Sequence, residues 1–215
     1  SQDEPPKPIT SLAPTHLGSE TDLLRSHMKA GEKAFQRGIY TRAMRNFRLA
    51  REISLNSPES NLSLCHTYFA MGDISSAEGA SSAGAAPITY NQPCVYLIQA
   101  TRSLPELALL PLAPKEFWGQ LKDYGDRLAE LETYSAAHPK DAEALFLMAY
   151  FKWFDEDPDA AVDALVQAYP HAENQDTVEA IETFWDGMKA SGKVPEGIVL
   201  PPRGQAGPLE ELAPA

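Results

Sequence analysis

"RGIYTRAMRNFRLA" (residues 37–50) is followed at a distance by "MGDISSAEGASSAG" (71–84). Gly38 and Gly72 stand 34 residues apart, and so do Ala43 and Ala77. A glycine that stops one helix, with an alanine early in the next, marks a helical hairpin. Repetition of the pair at one interval means the hairpin is built more than once.

Working outward, "GSETDLLRSHMKAGEKAFQRG" places Ser19 three residues before Asp22, as at a helix N-cap. Leu23, Leu24, His27, Ala30, Gly31, Ala34 and Phe35 then form a helical stripe that Gly38 ends. A second helix is predicted over 41–53, with Ala43, Phe47, Ala50 and Ile53 on one face, and "SLNSPES" breaks it. The next unit repeats this plan. Leu64, Cys65, Tyr68 and Met71 form its first stripe, which Gly72 closes. Its partner helix, "ISSAEGASSAGAAP", keeps Ala77 but has Ser81 and Gly84 where the first unit has Phe47 and Ala50. Each such glycine costs about 1 kcal/mol relative to alanine, so this is the weakest element.

"QPCVYLIQATR" opens a third unit, with Pro93 in its first turn. Pro105, Pro111 and Pro114 in "SLPELALLPLAP" then forbid a continuous helix. Beyond them Phe117, Leu121, Tyr124, Leu128 and Leu131 recur at helical intervals, with the phase slipped by about 16 residues, half a repeat. One insertion over 103–114, between the two helices of the third unit, explains the slip. Leu104, Leu107, Leu109, Leu110 and Leu112 make it too apolar for a free loop, so it is expected to pack on the array, across its concave face.

Phase then holds. "DAEALFLMAYFKWFDEDPDAAVDALVQAYP" reads as a complete hairpin, with Asp157 as N-cap, Pro158 in the opening turn, and Ala161, Leu165 and Ala168 facing inward. A lone last helix carries Val178, Ile181, Trp185 and Met188 and ends at Gly192, as a cap over the final apolar face. Residues 1–19 and 193–215, rich in Pro and Gly, read as unstructured tails flanking an array over 20–192. An N-terminal stretch of this kind suits a linker behind a cleaved signal peptide or a membrane anchor, and it leaves the localisation unassigned.

With Gly38, Tyr40, Ala43, Phe47 and Ala50, then Leu64, Tyr68, Gly72 and Ala77, then "HPKDAEALFLMAYFKWF", the chain resembles the tetratricopeptide repeat family. The resemblance covers residues 20–193. It implies a right-handed α-solenoid of about three and a half to four hairpins plus a capping helix. It also implies a non-enzymatic module that binds a peptide or helix of a protein partner in its concave groove. The groove positions it assigns are Met28, Phe35, Leu62, His66, Phe69, Tyr96, Phe146, Tyr150, Trp153 and Phe154. Arg25, Glu32, Gln36, Ala70 and Ala100 lie among them. Aromatic residues at helical spacing also pack cores, so the last four equally suit clasping the insertion or the capping helix. Family members that clamp the terminal carboxylate of heat-shock chaperones use Lys and Asn where Met28, Glu32, Leu62 and Ser63 stand here. That clamp is not expected. A scaffold or tether that uses its tails or convex face is the alternative, and an accessory domain of an enzyme is a third.

A net charge of -12 argues against nucleic acid and against an anionic membrane surface. No stretch is long and apolar enough for a membrane span. Cys65 and Cys94 read as small buried hydrophobes, with a bridge between them as the alternative. Of His16, His27, His66, His138 and His171, none forms a metal pair, and His138 and His171 suit helix C-termini. "DEDPD" (155–159) lacks the plan of a calcium loop, and "SSAGAAP" lacks the lysine and strand of a phosphate loop. No catalytic residue, cofactor or metal site is expected.

Overall fold

The computed structural model describes residues 16–72 and 89–203. Among them are nine α-helices, two short 3-10 turns and no strand. The chain is all-α, as its periodicity predicts. The weak partner helix expected around Ala77 lies outside the described residues, as do 1–15 and 204–215.

Helix α1 (His16–Gln36) and α2 (Tyr40–Ile53) form the first hairpin. α1 already runs through Ser19, so the cap expected there is not where the helix begins. Its far end is fixed by backbone chemistry. Gly38 has φ 71°, its N–H donates to the Phe35 carbonyl at 2.8 Å, and the Ile39 N–H reaches back to Ala34 at 2.9 Å. That pair of bonds around a left-handed residue is a Schellman turn. The helices approach closely at Gly31, where an added Cβ would sit 2.5 Å from the Phe47 ring.

α3 (Pro58–Met71) is capped by Ser57, whose hydroxyl accepts from the Ser60 N–H at 3.1 Å, and it ends at Gly72 with φ 56°. Gly38 and Gly72 thus both end a helix at positive φ, and the course of the chain beyond Gly72 lies outside the described residues. α4 (Asn91–Ser103) packs on α3. Further on, α7 (Ala142–Phe154) and α8 (Pro158–Ala168) pair like α1 and α2. Asp157 caps α8 as expected, accepting from the Ala160 N–H at 3.2 Å. The turn between them repeats the first one. Glu156 takes φ 63°, and the Asp157 N–H donates to the Lys152 carbonyl at 3.0 Å. Counted from the two turns, Ala43, Phe47 and Ala50 correspond to Ala161, Leu165 and Ala168, all fully buried. The offset is 118 residues, which is three periods of 34 and 16 more. The half-repeat slip read from phase thus reappears as the offset between two matching turns, but α4 and the helix over 121–137, expected as the two halves of the third hairpin, do not pack on each other as a pair.

The inserted stretch is packed, not free. A 3-10 turn, Leu107–Leu109, buries Leu107 and Ala108 against α9 (Gln175–Ala190), where Gly187 leaves room for the Ala108 methyl. Leu104 and Leu112 are half-buried, whereas Leu109 is exposed. A four-residue helix, α5 (Pro114–Phe117), follows, and α6 (Leu121–Ala137) begins after a break at Gly119. A Cβ on Gly119 would lie 1.8 Å from the Gln36 carbonyl oxygen, so the backbone passes there directly against the end of α1. This break splits the expected stripe. Tyr124 and Leu131 face the core, Leu121 is 67% exposed, and Phe117 lies ahead of the helix altogether.

α9 buries Val178, Ile181, Trp185 and Met188, and a left-handed Gly192 follows it. It covers α4 and the inserted turn more than it covers α8. Residues after it are not loose either: Val194, Ile198 and Leu200 lie half-buried on the core, where an unstructured tail was expected. Among the described residues no helix is long and apolar enough to cross a membrane.

Candidate functional site

The side chains assigned to the concave groove do not line an open groove. Phe35, His66, Phe69, Tyr96, Phe146, Tyr150 and Trp153 are buried, and only Met28, Leu62 and Phe154 keep partial exposure. What covers them is the chain itself. Leaving α5, Phe117 and Trp118 enter between α1, α3 and α7, and Trp118 is 4% exposed.

Ring geometry shows how closely this strap is seated. Phe117 lies 4.5 Å from Phe35 and 5.3 Å from His66, centroid to centroid. Trp118 meets Phe35 edge-on at 5.2 Å and Phe69 at 6.1 Å. At its polar edge the Trp118 indole N–H donates to His66 Nδ1 at 3.2 Å. An indole nitrogen only donates, so Nδ1 is unprotonated and Nε2 carries the hydrogen. Nε2 then donates to the Tyr150 hydroxyl at 3.0 Å. Three residues from the strap, α3 and α7 are thereby linked inside an apolar cluster, where unmade bonds would be expensive.

Burial holds the His66 ring down to about 3, so it is neutral at physiological pH. Both ring nitrogens already have partners, which leaves no free base. Burial likewise pushes the neighbouring Cys65 thiol, Cys94 and the Tyr150 hydroxyl upward. The two cysteines are free thiols, not a bridge. Neither is a poised nucleophile, because the thiolate is what reacts. The outer edge of the strap is held electrostatically, with Lys115 3.4 Å from the Asp155 carboxylate at the end of α7.

Beside the strap a cavity of about 210 Å3 remains, between Met28, Leu62, His66 and Tyr150 on one side and Leu112 and Phe117 on the other. Glu32 and Glu59 also border it. It has room for one side chain, not for a helix. The other assigned residues are spread around it. Phe146, Tyr150 and Phe154 pack on Phe184 of α9. Trp153 donates its indole N–H to the Ala108 carbonyl of the insertion and lies under Lys193. These are the clasping contacts that the aromatic spacing also allowed. Tyr96 is apart from all of them, stacked on Tyr68 at 5.4 Å with Arg51 over its ring.

Sequence reasoning placed Phe117 on the helix that became α6 and gave Trp118 no role. The available signal was "PKEFWG": a proline that opens a turn, two large aromatics, and a glycine that allows close backbone approach. Among the described residues no cluster of three or more His, Cys, Asp or Glu could hold a metal. His138 sits at the C-terminus of α6 with Nδ1 on the Tyr134 carbonyl at 2.9 Å. Compared with known proteins, the chain matches no family model, no curated protein and no solved structure.

Proposed function

We propose that this chain is a non-enzymatic protein-interaction module, a right-handed array of tetratricopeptide-like hairpins that meets its partners with its outer surface. The observation that carries this reading is the occupied interior. His66, Tyr150, Phe69 and Phe35 are committed to holding Phe117 and Trp118 of the same chain, which leaves the exterior as the surface on offer. Cross-linking of a captured partner should map to lysines on the outer faces, such as Lys29 and Lys33, and not to the rim around Leu62. A chemical activity lost on His66→Gln, in a variant that still folds, would overturn the non-enzymatic reading.

One feature favours a second reading, in which a partner displaces the strap. The cavity beside Phe117 is a place where an incoming side chain could begin to compete for the concave face. Under that reading Trp118→Ala tightens partner binding, because the competitor inside the chain is weakened. Under the first reading it does not.

A further inference from the structure

Charge is unevenly placed on this acidic chain. Residues 29–48, the loop end of the α1–α2 hairpin, hold six of the 18 Lys and Arg and one of the 30 Asp and Glu. That is +5 within a total of -12, and it leaves -17 on the rest. Lys29, Lys33, Arg37, Arg42, Arg45 and Arg48 are all exposed. None is in an ion pair among the described residues. The one carboxylate of the stretch, Glu32, borders the cavity on the concave side with Met28.

Three of these cations converge. Lys33, Arg37 and Arg42 rim a hollow of about 150 Å3 floored by Ala30, Ala34 and Ile39. Ile39 is 39% exposed at its base, and Leu49 is 38% exposed on α2. Arg42, Arg45 and Arg48, three residues apart, fan across the face of α2 opposite buried Ala43, Phe47 and Ala50. Gathered like charges with no internal counter-charge raise the local potential and attract an anion.

We propose that the loop end of this hairpin docks a short acidic segment of a partner protein, with carboxylates on the cations and one apolar side chain in the hollow. The proposal rests on the interaction-module reading above and gives it a place and a chemistry. Size decides between anions. A bilayer or a nucleic-acid duplex extends well past the patch and brings its own charge against the acidic remainder of the molecule. A short peptide meets the patch alone, and screening over about 8–10 Å separates it from the rest. The hollow lies between two helices with an apolar floor, which a side chain can enter and a flat membrane cannot.

The test uses a labelled peptide that alternates Glu with Leu, followed by fluorescence anisotropy on the whole chain. Binding should weaken about tenfold or more when salt rises from about 0.05 to about 0.5 M. It should weaken about tenfold in Arg42→Gln/Arg45→Gln, whose exposed side chains leave the melting curve unchanged. Lys122→Gln/Lys140→Gln, which removes equal charge elsewhere, should bind like the parent. No binding, or equal loss in both double variants, overturns the proposal. So does tighter Arg42-dependent binding to phosphatidylserine vesicles or duplex DNA, or self-association abolished by the same variant, which would make a second copy the occupant. None of these outcomes bears on His66, so the interaction reading falls only by its own test.

Discussion

Trp153 donates its indole N–H to the carbonyl oxygen of Ala108 at 2.8 Å, across 45 residues of sequence. This bond ties the inserted turn to α7, and both partners are buried. Trp153→Phe keeps a ring in place but leaves that carbonyl without a donor. We expect a loss of about 1–3 kcal/mol in urea unfolding. Trp153→Ala, which also empties the site, should cost about 3–5 kcal/mol. Equal stability of the parent and the Phe variant would show that the bond contributes nothing.

Trp118→Phe should loosen the strap without emptying it. The variant loses the donor to His66 Nδ1, so amides over 112–119 should exchange faster while those of α8 do not change. Hydrogen exchange read by mass spectrometry separates local release from general destabilisation.

His66 gives a pH dependence whose sign is fixed by burial. The folded ring stays neutral down to about 3, whereas the unfolded ring takes a proton near 6.5. Between those limits the unfolded chain binds more protons, so stability falls as pH falls. The loss should be about 1 kcal/mol between about pH 6 and about pH 5, above the range where carboxylates titrate. His66→Gln should flatten that part of the profile, whatever it costs at neutral pH.

The two matching turns make a paired prediction. Gly38→Ala puts a Cβ into open space but onto a backbone with φ 71°, and about 1 kcal/mol should be lost. Glu156 already bears that strain at φ 63°, so Glu156→Gly should raise stability by about 0.5–1 kcal/mol. Thermal melts of both variants test the equivalence of the turns directly.

Gly119→Ala differs in kind. Its Cβ would collide with backbone at Gln36, which cannot swing aside like a side chain. We expect several kcal/mol of loss and ready protease cleavage over 104–119.

Hairpins were legible in the sequence because two residue types carry fixed geometry. A glycine at the end of α1 or α3 supplies a left-handed bend, and small residues such as Gly31 and Ala43 let helices touch. The turn at Glu156 shows that such signals are sufficient but not required, since tertiary packing imposed the same bend on a side chain that resists it. The strap was not legible. Trp118 falls outside any periodic run, Phe117 fits the run of a helix it does not join, and periodicity says which face of a helix is apolar but not which segment will cover it. Leu121 was misplaced for the same reason, because the break at Gly119 depends on Gln36, a neighbour 83 residues away. The basic end of the first hairpin was hidden by averaging. A net charge of -12 is true of the chain and false of residues 29–48.

The clasp that α9 places over Leu107 and Ala108 has a consequence for synthesis. Translation delivers α9 about 70 residues after the turn that it shelters. Until then a nascent chain has Leu107 and the indole of Trp153 without their lid. The first hairpin can close early on the ribosome, but the oily middle stays uncovered until α9 has emerged. Interrupted translation before Gln175 would therefore yield a sticky fragment, not a smaller version of the same protein.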